Sequence, residues 1–466
     1  MISKQELIER AREWGLRVDV VEKDYALGWL LAAISQHEEA AELWVLKGGT
    51  CVKKCFFETY RFSEDLDFSL LPEAEYDESA VLRTLQEVAA LASDLSGIDF
   101  SADQITLHAR KDRLGRATYE GRIGYRGPLA MPSWPRVLFD LTQHEPVLDE
   151  PVLRRVLHPY SDDLPIEAGV RTYTLEELLA EKTRALVERC RPRDLYDVVF
   201  IIGNATPATD HARELFREKC SAKGITVPDA AGVLAIIAAS GELHSEWEHM
   251  LGHQLPQLPP VDTVLVRVPA ALRWLEPERM ITAPQLQTVP ALGGEAYLTP
   301  APIGHWQRAS GLEQIRFAGA NRLIVHFRYS DRIRAVEPYS LRRSSKGNVL
   351  LHAWEIETSQ IKRFDVAKIA DVRVTDRGFA PRYQVEFTAG GSMDMVAPII
   401  TSSAAASPRR YPRSRQGASG PTYVFTCPVC GKEFRHRRND SALRRHKMKD
   451  SEWYCAGRSG YLNRVI

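Results

Sequence analysis

Apolar positions in the first 275 residues alternate between two spacings. From Gln5 to Trp14 and from Glu22 to Ser35 they recur every three or four residues, which predicts helices. Leu43 to Leu46, Asp65 to Leu70 and Arg136 to Leu141 are short runs of strand type. Leu175 to Cys190 is amphipathic over four turns and is preceded by Thr174, whose hydroxyl suits an N-cap. Helices mixed with strands around a short sheet predict an α+β core with a helical extension.

Further along the pattern changes. Prolines at 277, 284, 290, 300 and 302 and the Gly293-Gly294 pair mark residues 276–302 as a linker. Strand-like runs follow at Arg322–Tyr329, Val349–Ile356, Gln360–Phe364 and Tyr383–Phe387, with a hairpin turn at Ser345–Asn348. They predict a small β-barrel over 303–389. Residues 390–421 are rich in Ser, Ala, Pro, Gly and Arg and are expected to form a flexible linker to a last block, 422–466. The expected domains are therefore 1–275, 303–389 and 422–466.

The composition of the 466 residues, 44% hydrophobic, provides for buried cores. No run of about 18 apolar residues predicts a membrane span, and the N-terminus lacks the apolar stretch of a signal peptide. Seven cysteines, three of them near the C-terminus, disfavour a secreted disulfide scaffold and point to a reducing, cytoplasmic setting. The 61 basic and 61 acidic residues cancel, but unevenly. From residue 401 on, 14 basic residues face four acidic ones, a net of +10 that leaves the rest of the chain at −10. An acidic body with a basic tail points to a polyanionic partner.

The segment richest in chemistry is Leu46-Lys47-Gly48-Gly49-Thr50 followed by Arg61-Phe62-Ser63-Glu64-Asp65-Leu66-Asp67-Phe68. On a strand Asp65 and Asp67 share one face while Leu66 and Phe68 point into the core. Two carboxylates so close call for a cation, and hard oxygen donors suit Mg²⁺ or Mn²⁺. Asp140, in Val137-Leu-Phe-Asp-Leu-Thr142, has the strand context of a third carboxylate. Gly48 and Gly49 admit backbone amides to a nucleotide phosphate, Thr50 adds a hydroxyl, and Lys47 and Arg61 flank the site as nucleotide-binding candidates. Lys182 lies mid-helix with Leu178, Leu179, Ala185 and Leu186 three and four residues away, so its own helix offers no acidic partner. It is expected either to neutralise triphosphate or to snorkel from a buried stripe.

Gly48-Gly49-Thr50, Arg61 with Ser63-Glu64-Asp65-Leu66-Asp67, Glu181-Lys182 and Pro192-Arg193-Asp194-Leu195-Tyr196-Asp197 resemble the AbiEii/AbiGii toxin nucleotidyltransferases, as does Val21-Glu22-Lys23-Asp24-Tyr25. The resemblance spans about residues 15–275. It implies a DNA polymerase β-like core and the toxin of a type IV toxin–antitoxin or phage-defence system, with an antitoxin encoded nearby. It also implies an active site lined by Ser63, Asp65, Lys182 and one or both of Asp194 and Asp197. The expected reaction uses an NTP with Mg²⁺ or Mn²⁺ and an RNA acceptor, tRNA favoured. The competing class is a regulatory nucleic-acid-binding protein whose core is silent.

Asn321–Tyr329, Val336–Arg342 and Ile361–Ile369 resemble a WYL-type domain of Sm- or SH3-like fold, although Ala353-Trp354-Glu355 replaces the signature tripeptide. Arg334, Arg342, Arg343 and Arg363 are its candidate phosphate contacts. In the tail, Cys427 and Cys430 form a C-x-x-C knuckle, and His446 and Cys455 complete four ligands for a structural Zn²⁺, with His436 as an alternative third. The arrangement resembles a C2H2-like finger. Cys51, Cys55, Cys190 and Cys220 have no such spacing and are expected in the core.

Overall fold

The structure is a computed structural model. It describes residues 1–73, 76–111, 117–143, 145–165, 168–276, 286–290, 296–297, 311–387, 423–427, 432–436 and 461–465. Two compact units divide the chain, Met1–Pro398 and Ile399–Ile466.

In the first unit, helix α1 (Lys4–Trp14) starts where the Ser3 hydroxyl accepts the Glu6 N–H and ends at Gly15 in the left-handed conformation. Helix α2 (Val18–Ile34) is buried on nearly every face, which fits its almost continuous apolar sequence. After a short α3 (Ala40–Leu43), strand β1 (Trp44–Lys47) leads into α4 (Gly48–Cys51), a π-helical turn (Val52–Phe56) and strand β2 (Asp65–Leu70). Helix α5 (Glu78–Ser96) is followed by β3 (Ile105–Lys111), β4 (Ala117–Gly124), β5 (Arg136–Gln143), β6 (Val152–Arg155) and β7 (Gly169–Thr172).

These seven strands form one sheet in the order β3-β4-β5-β2-β1-β7-β6. Strand β2 pairs antiparallel with β1 and parallel with β5, and Asp67 stands opposite both Lys47 and Asp140. One face is closed by apolar packing: Leu66, Phe68, Phe139 and Leu141 are buried, and Leu85 of α5 reaches Gly121 of β4. The other face carries Asp65, Asp67, Asp140, Glu120 and Arg122.

Helix α6 (Leu175–Arg189) begins as expected, with Thr174 Oγ1 accepting the Glu177 N–H. Cys190, left-handed at φ 46°, reverses the chain into α7 (Pro192–Asn204), which has proline at its first position. Helices α8 (Thr209–Ala222), α9 (Ala230–Ala239), α10 (Glu242–Ser245), α11 (Trp247–Leu251), α12 (Val261–Leu265) and α13 (Val268–Ala271) complete the helical extension. Cys51 and Cys55, after β1, and Cys190 and Cys220, in the helical extension, are all buried, as their sequence context predicts.

Helix α14 (Leu312–Asn321) precedes strands β9 (Leu323–Tyr329), β10 (Arg332–Arg343), β11 (Val349–Glu355), β12 (Gln360–Asp365) and β13 (Ala370–Gly378). They form an antiparallel sheet, β12-β11-β10-β9-β13, in which the last strand returns beside the first. Strand β8 (Ala296–Tyr297) adds to β10, and the Val289 carbonyl accepts from Arg342 at 2.7 Å, so part of the expected linker belongs to this fold. Tyr383–Phe387 is not a strand. It makes one bridge, Ser340 to Glu386, while the Arg382 and Glu386 side chains turn to Glu337 and Arg342. Two of the four arginines expected at phosphates are structural: Arg342 is fully buried, and Arg334 pairs with the buried Glu355.

This sheet, open between β12 and β13 rather than closed into the expected barrel, is joined to the helical extension by polar contacts. Tyr196 of α7 donates to Asn321 Oδ1 at 2.7 Å, and Arg322 donates to Asn204 Oδ1 at 3.2 Å. In the second unit, β14 (Tyr423–Thr426) lies between β15 (Glu433–His436) and β16 (Tyr461–Val465). Cys427 is buried, and its N–H donates to the Lys432 carbonyl at 2.9 Å, one step beyond the β14–β15 pairing. Cys430, His446 and Cys455 lie outside the described residues, as does the expected linker from Gly390 to Pro421.

Candidate active site

The site begins at the end of β1. Gly48 turns the chain at φ +74°, and a Cβ there would lie 2.0 Å from Asp67 Oδ2. At Gly49 a Cβ would meet Arg61 Nη2 at 2.8 Å and Ser63 Oγ at 2.9 Å. The two glycines thus lay the backbone directly against Arg61, Ser63 and Asp67. The Thr50 hydroxyl, expected at the phosphates, is buried and donates to the Asp65 main-chain carbonyl. It braces β2 instead. Lys47 is likewise occupied, paired with the buried Glu145.

Asp65 and Asp67 are both partly exposed between fully buried Leu66 and Phe68, as strand alternation predicts. Their carboxyls are held above the usual range. Burial is the main cause for both; Asp67 adds to it at Asp65, while Lys47 and Lys182 partly offset it at Asp67. Burial and then the Asp67 charge push Asp140 up to about 6. Negative charge therefore accumulates along this edge with incomplete compensation. Among the described residues, no three Asp, Glu, His or Cys side chains converge into a ready metal cage.

Facing the carboxylates is a wall of cations. Lys182 does have an acidic partner, which comes from the next helix: its Nζ lies 2.7 Å from Asp197 Oδ2. Arg61 grips the same carboxylate through Nε at 2.7 Å and Nη2 at 2.9 Å, and donates to Gln254 Oε1 at 2.8 Å. Burial alone would raise the Asp197 carboxyl, but Arg61 and Lys182 hold it well below the ordinary range. Asp194, one turn earlier, pairs with Arg189 at 2.7 and 2.9 Å. Arg193, a conceivable partner for both aspartates, instead donates to the Met250 carbonyl at 3.3 Å. Burial, and then Arg61, lower its pKa.

Between wall and carboxylates lies a cleft of about 500 Å³ lined by Gly49, Arg61, Ser63, Asp65, Asp67 and Lys182 together with Arg189, Arg191, Arg193, Asp194, His249, Met250 and His253. Asp140 stands beside Asp67 in register but is not among the lining residues, and Asp197 is wholly buried behind the wall. Sequence reading passed over Glu145, Gln254, His249 and His253, which come from distant segments without any motif. The run Arg189-Cys190-Arg191-Pro192-Arg193 is the sequence signal, a cluster of positive charge, that points to this wall.

Glu22, Lys23, Asp24 and Tyr25 brace the site from behind. Glu22 accepts the Leu129 N–H, and Lys23 pairs with Glu64 at 2.9 Å, which His253 also contacts at 2.9 Å. Asp24 forms a buried ion pair with Lys54 at 2.6 Å, and Tyr25 donates to Asp162.

The sequence model of the family described as "Nucleotidyl transferase AbiEii toxin, Type IV TA system" matches residues 29–273. No curated protein matches the chain. Among solved structures the chain is similar to MenT4, a nucleotidyltransferase toxin from Mycobacterium tuberculosis H37Rv, at 22% identity and a TM-score of 0.37. That match covers 58% of this chain and 87% of the other.

Proposed function

This chain belongs to the AbiEii family of nucleotidyltransferase toxins of type IV toxin–antitoxin systems, and from that premise we propose a metal-dependent transfer of a nucleotide from an NTP to an RNA, with tRNA the favoured acceptor. The observation that carries the reading is the placement of Asp65 and Asp67 on one strand face, opposite Lys182 and the Arg189–Arg193 run across one cleft.

The donor set fits a hard divalent cation. Mg²⁺ commonly takes one or two protein carboxylates and completes its octahedron with water and phosphate oxygens, so a full protein cage is not needed. Asp65 and Asp67 would hold it, with Asp140 adjacent. Bound there, Mg²⁺ or Mn²⁺ would offset charge on the reacting phosphates. Lys182 and Arg193 then face the triphosphate, and Gly49 and Ser63 border its path. Asp197 positions Lys182 and Arg61 rather than touching the nucleotide.

The test is incubation of the purified protein with each labelled NTP, Mg²⁺ and total RNA. Label is expected in RNA for at least one nucleotide, and Asp65→Asn or Asp67→Asn is expected to cut transfer at least 100-fold without loss of fold. Full activity in both variants would refute the carboxylate assignment.

For the remaining blocks we propose a WYL-like role for the β9–β13 sheet and a zinc-bound finger for the tail. The helix-then-five-strand order supports the first, and the backbone bond from Cys427 to Lys432 beside β14 and β15 supports the second.

A further inference from the structure

The polar face of the seven-stranded sheet continues past the catalytic carboxylates, and on that side it is open. Register places Asp65 beside Leu138 and Leu138 beside Arg122; one step along, Asp67, Asp140 and Glu120 are neighbours. Every second residue of β5 shares this face. Arg136 and Arg122 are exposed, and Leu138 is 42% exposed although it sits in mid-strand. Beyond the strand ends, the Tyr125 N–H still donates to the Pro135 carbonyl, which extends the pairing by one step. There the Arg126 guanidinium lies 4.4 Å over the Trp134 ring. From Trp134 to Asp140 the path is six residues, about 20 Å at strand rise.

The acids on β4 and β5 beside this path are Glu120 and Asp140, and Asp99 and Glu22 lie near its Arg126 end. Glu120 is paired with Arg110 at 3.0 Å, whereas Arg122 and Arg136 make no ion pair with any described residue. A stripe of three arginines, a tryptophan and an exposed leucine therefore leads to the carboxylates. Exposed arginines with stacking surfaces are the elements of single-strand nucleic-acid binding.

Reaction geometry selects the same side. In nucleotidyl transfer the acceptor oxygen bonds to the α-phosphorus as the bond to the β-bridging oxygen breaks. Pyrophosphate leaves with the electron pair, and the acceptor's proton passes to water. Attacking and leaving oxygens lie in line. The cations that suit a leaving pyrophosphate, Lys182 and the Arg189–Arg193 run, stand on the α6–α7 side. The acceptor must therefore approach from the opposite side, across β5 and β4.

We propose that the open face of β4 and β5 is the acceptor track: a single-stranded RNA end runs along Trp134, Arg136, Leu138 and Arg122, delivering its terminal hydroxyl to Asp65 and Asp67. This rests on the RNA-acceptor reading above. Arg122 and Arg136 bind phosphates, and Leu138 and the Arg126–Trp134 pair receive bases.

The experiment compares the full chain with R122E/R136E, reading label transfer to RNA and RNA binding over a salt series. The expected result is an at least tenfold rise in KM for RNA, with kcat changing less. The log–log salt slope should fall by about 1.4, two single-strand phosphates at about 0.7 each. R122K/R136K should restore most of both, since lysine keeps the charge. Melting temperature controls for folding, and R122Q/R136Q carries the same test should charge reversal lower it. An unchanged KM and slope in a chain whose wild type labels RNA overturns the track alone. A wild type that labels protein, or no acceptor in RNA, overturns both the track and the RNA reading.

Discussion

Asp197 holds Arg61 and Lys182 at once while fully buried, so its removal leaves two cations facing each other without a counter-charge. Breaking a buried pair on one side typically costs about 3–5 kcal/mol. Asp197→Asn is therefore expected to destabilise the fold by that order in urea denaturation. Lys182→Ala leaves Asp197 with Arg61, so it should cost less stability and appear chiefly as a raised KM for NTP or a lowered kcat. Normal kinetics for this variant would return Lys182 to a purely structural role. Asp140 behaves in the opposite sense. Its folded carboxyl sits at about 6, above the ordinary 3.8, so the folded state is favoured below that lower value and loses the advantage as pH rises through 6. In metal-free protein, Asp140→Asn should leave stability nearly unchanged at pH 4 and raise it by about 1–3 kcal/mol at pH 8. A melting curve that shows the gain at pH 4 instead would contradict the burial and Asp67 repulsion inferred here.

Elements that obey one strong period were legible from sequence: β2, β5 and α6 each bury alternate or every third and fourth residues, and their predicted bounds agree with the fold to within two residues. β3 was missed although Ile105, Leu107 and Ala109 alternate with Thr106, His108 and Arg110; as an edge strand it is exposed from His108 to Lys111, and its signal is correspondingly weak. β13 was hidden for a related reason, being half-buried to exposed throughout. The partner of Lys182 escaped because spacing reveals contacts within a helix, whereas Asp197 arrives from α7. The β1–α4 turn was legible as a glycine pair, and the structure explains why: Gly48 combines positive φ with a carboxylate where a Cβ would be. Gly48→Ala must strain the backbone and push Asp67 aside. It should destabilise by about 1–3 kcal/mol, with a loss of transfer larger than the stability loss explains. If the variant kept both stability and activity, Asp67 would have freedom that this geometry denies it.

At the scale of the whole molecule, the division expected after residue 275 is bridged by α14, because Asn321 and Arg322 reach Tyr196, Asn204 and the Gly203 carbonyl of α7. The helix that bears Asp194 and Asp197 at one end is thus held by the β9–β13 block at the other. In the C-terminal unit the described residues are three short strands, too small to supply a core of their own. A metal would provide what they lack. Zinc binding contributes on the order of 10 kcal/mol to such segments. Purified protein is therefore expected to carry one equivalent of zinc, and Cys430→Ser to lose it and to unfold the tail. The Met1–Pro398 unit should keep its melting temperature and its NTP affinity in that variant. A chain ending at Pro398 should behave likewise, but with weaker RNA binding and a shallower salt slope, because the tail carries most of the excess positive charge. Metal analysis without zinc would remove the finger. Zinc present with an unchanged salt slope after truncation would keep the finger and assign the RNA contacts to the first unit alone.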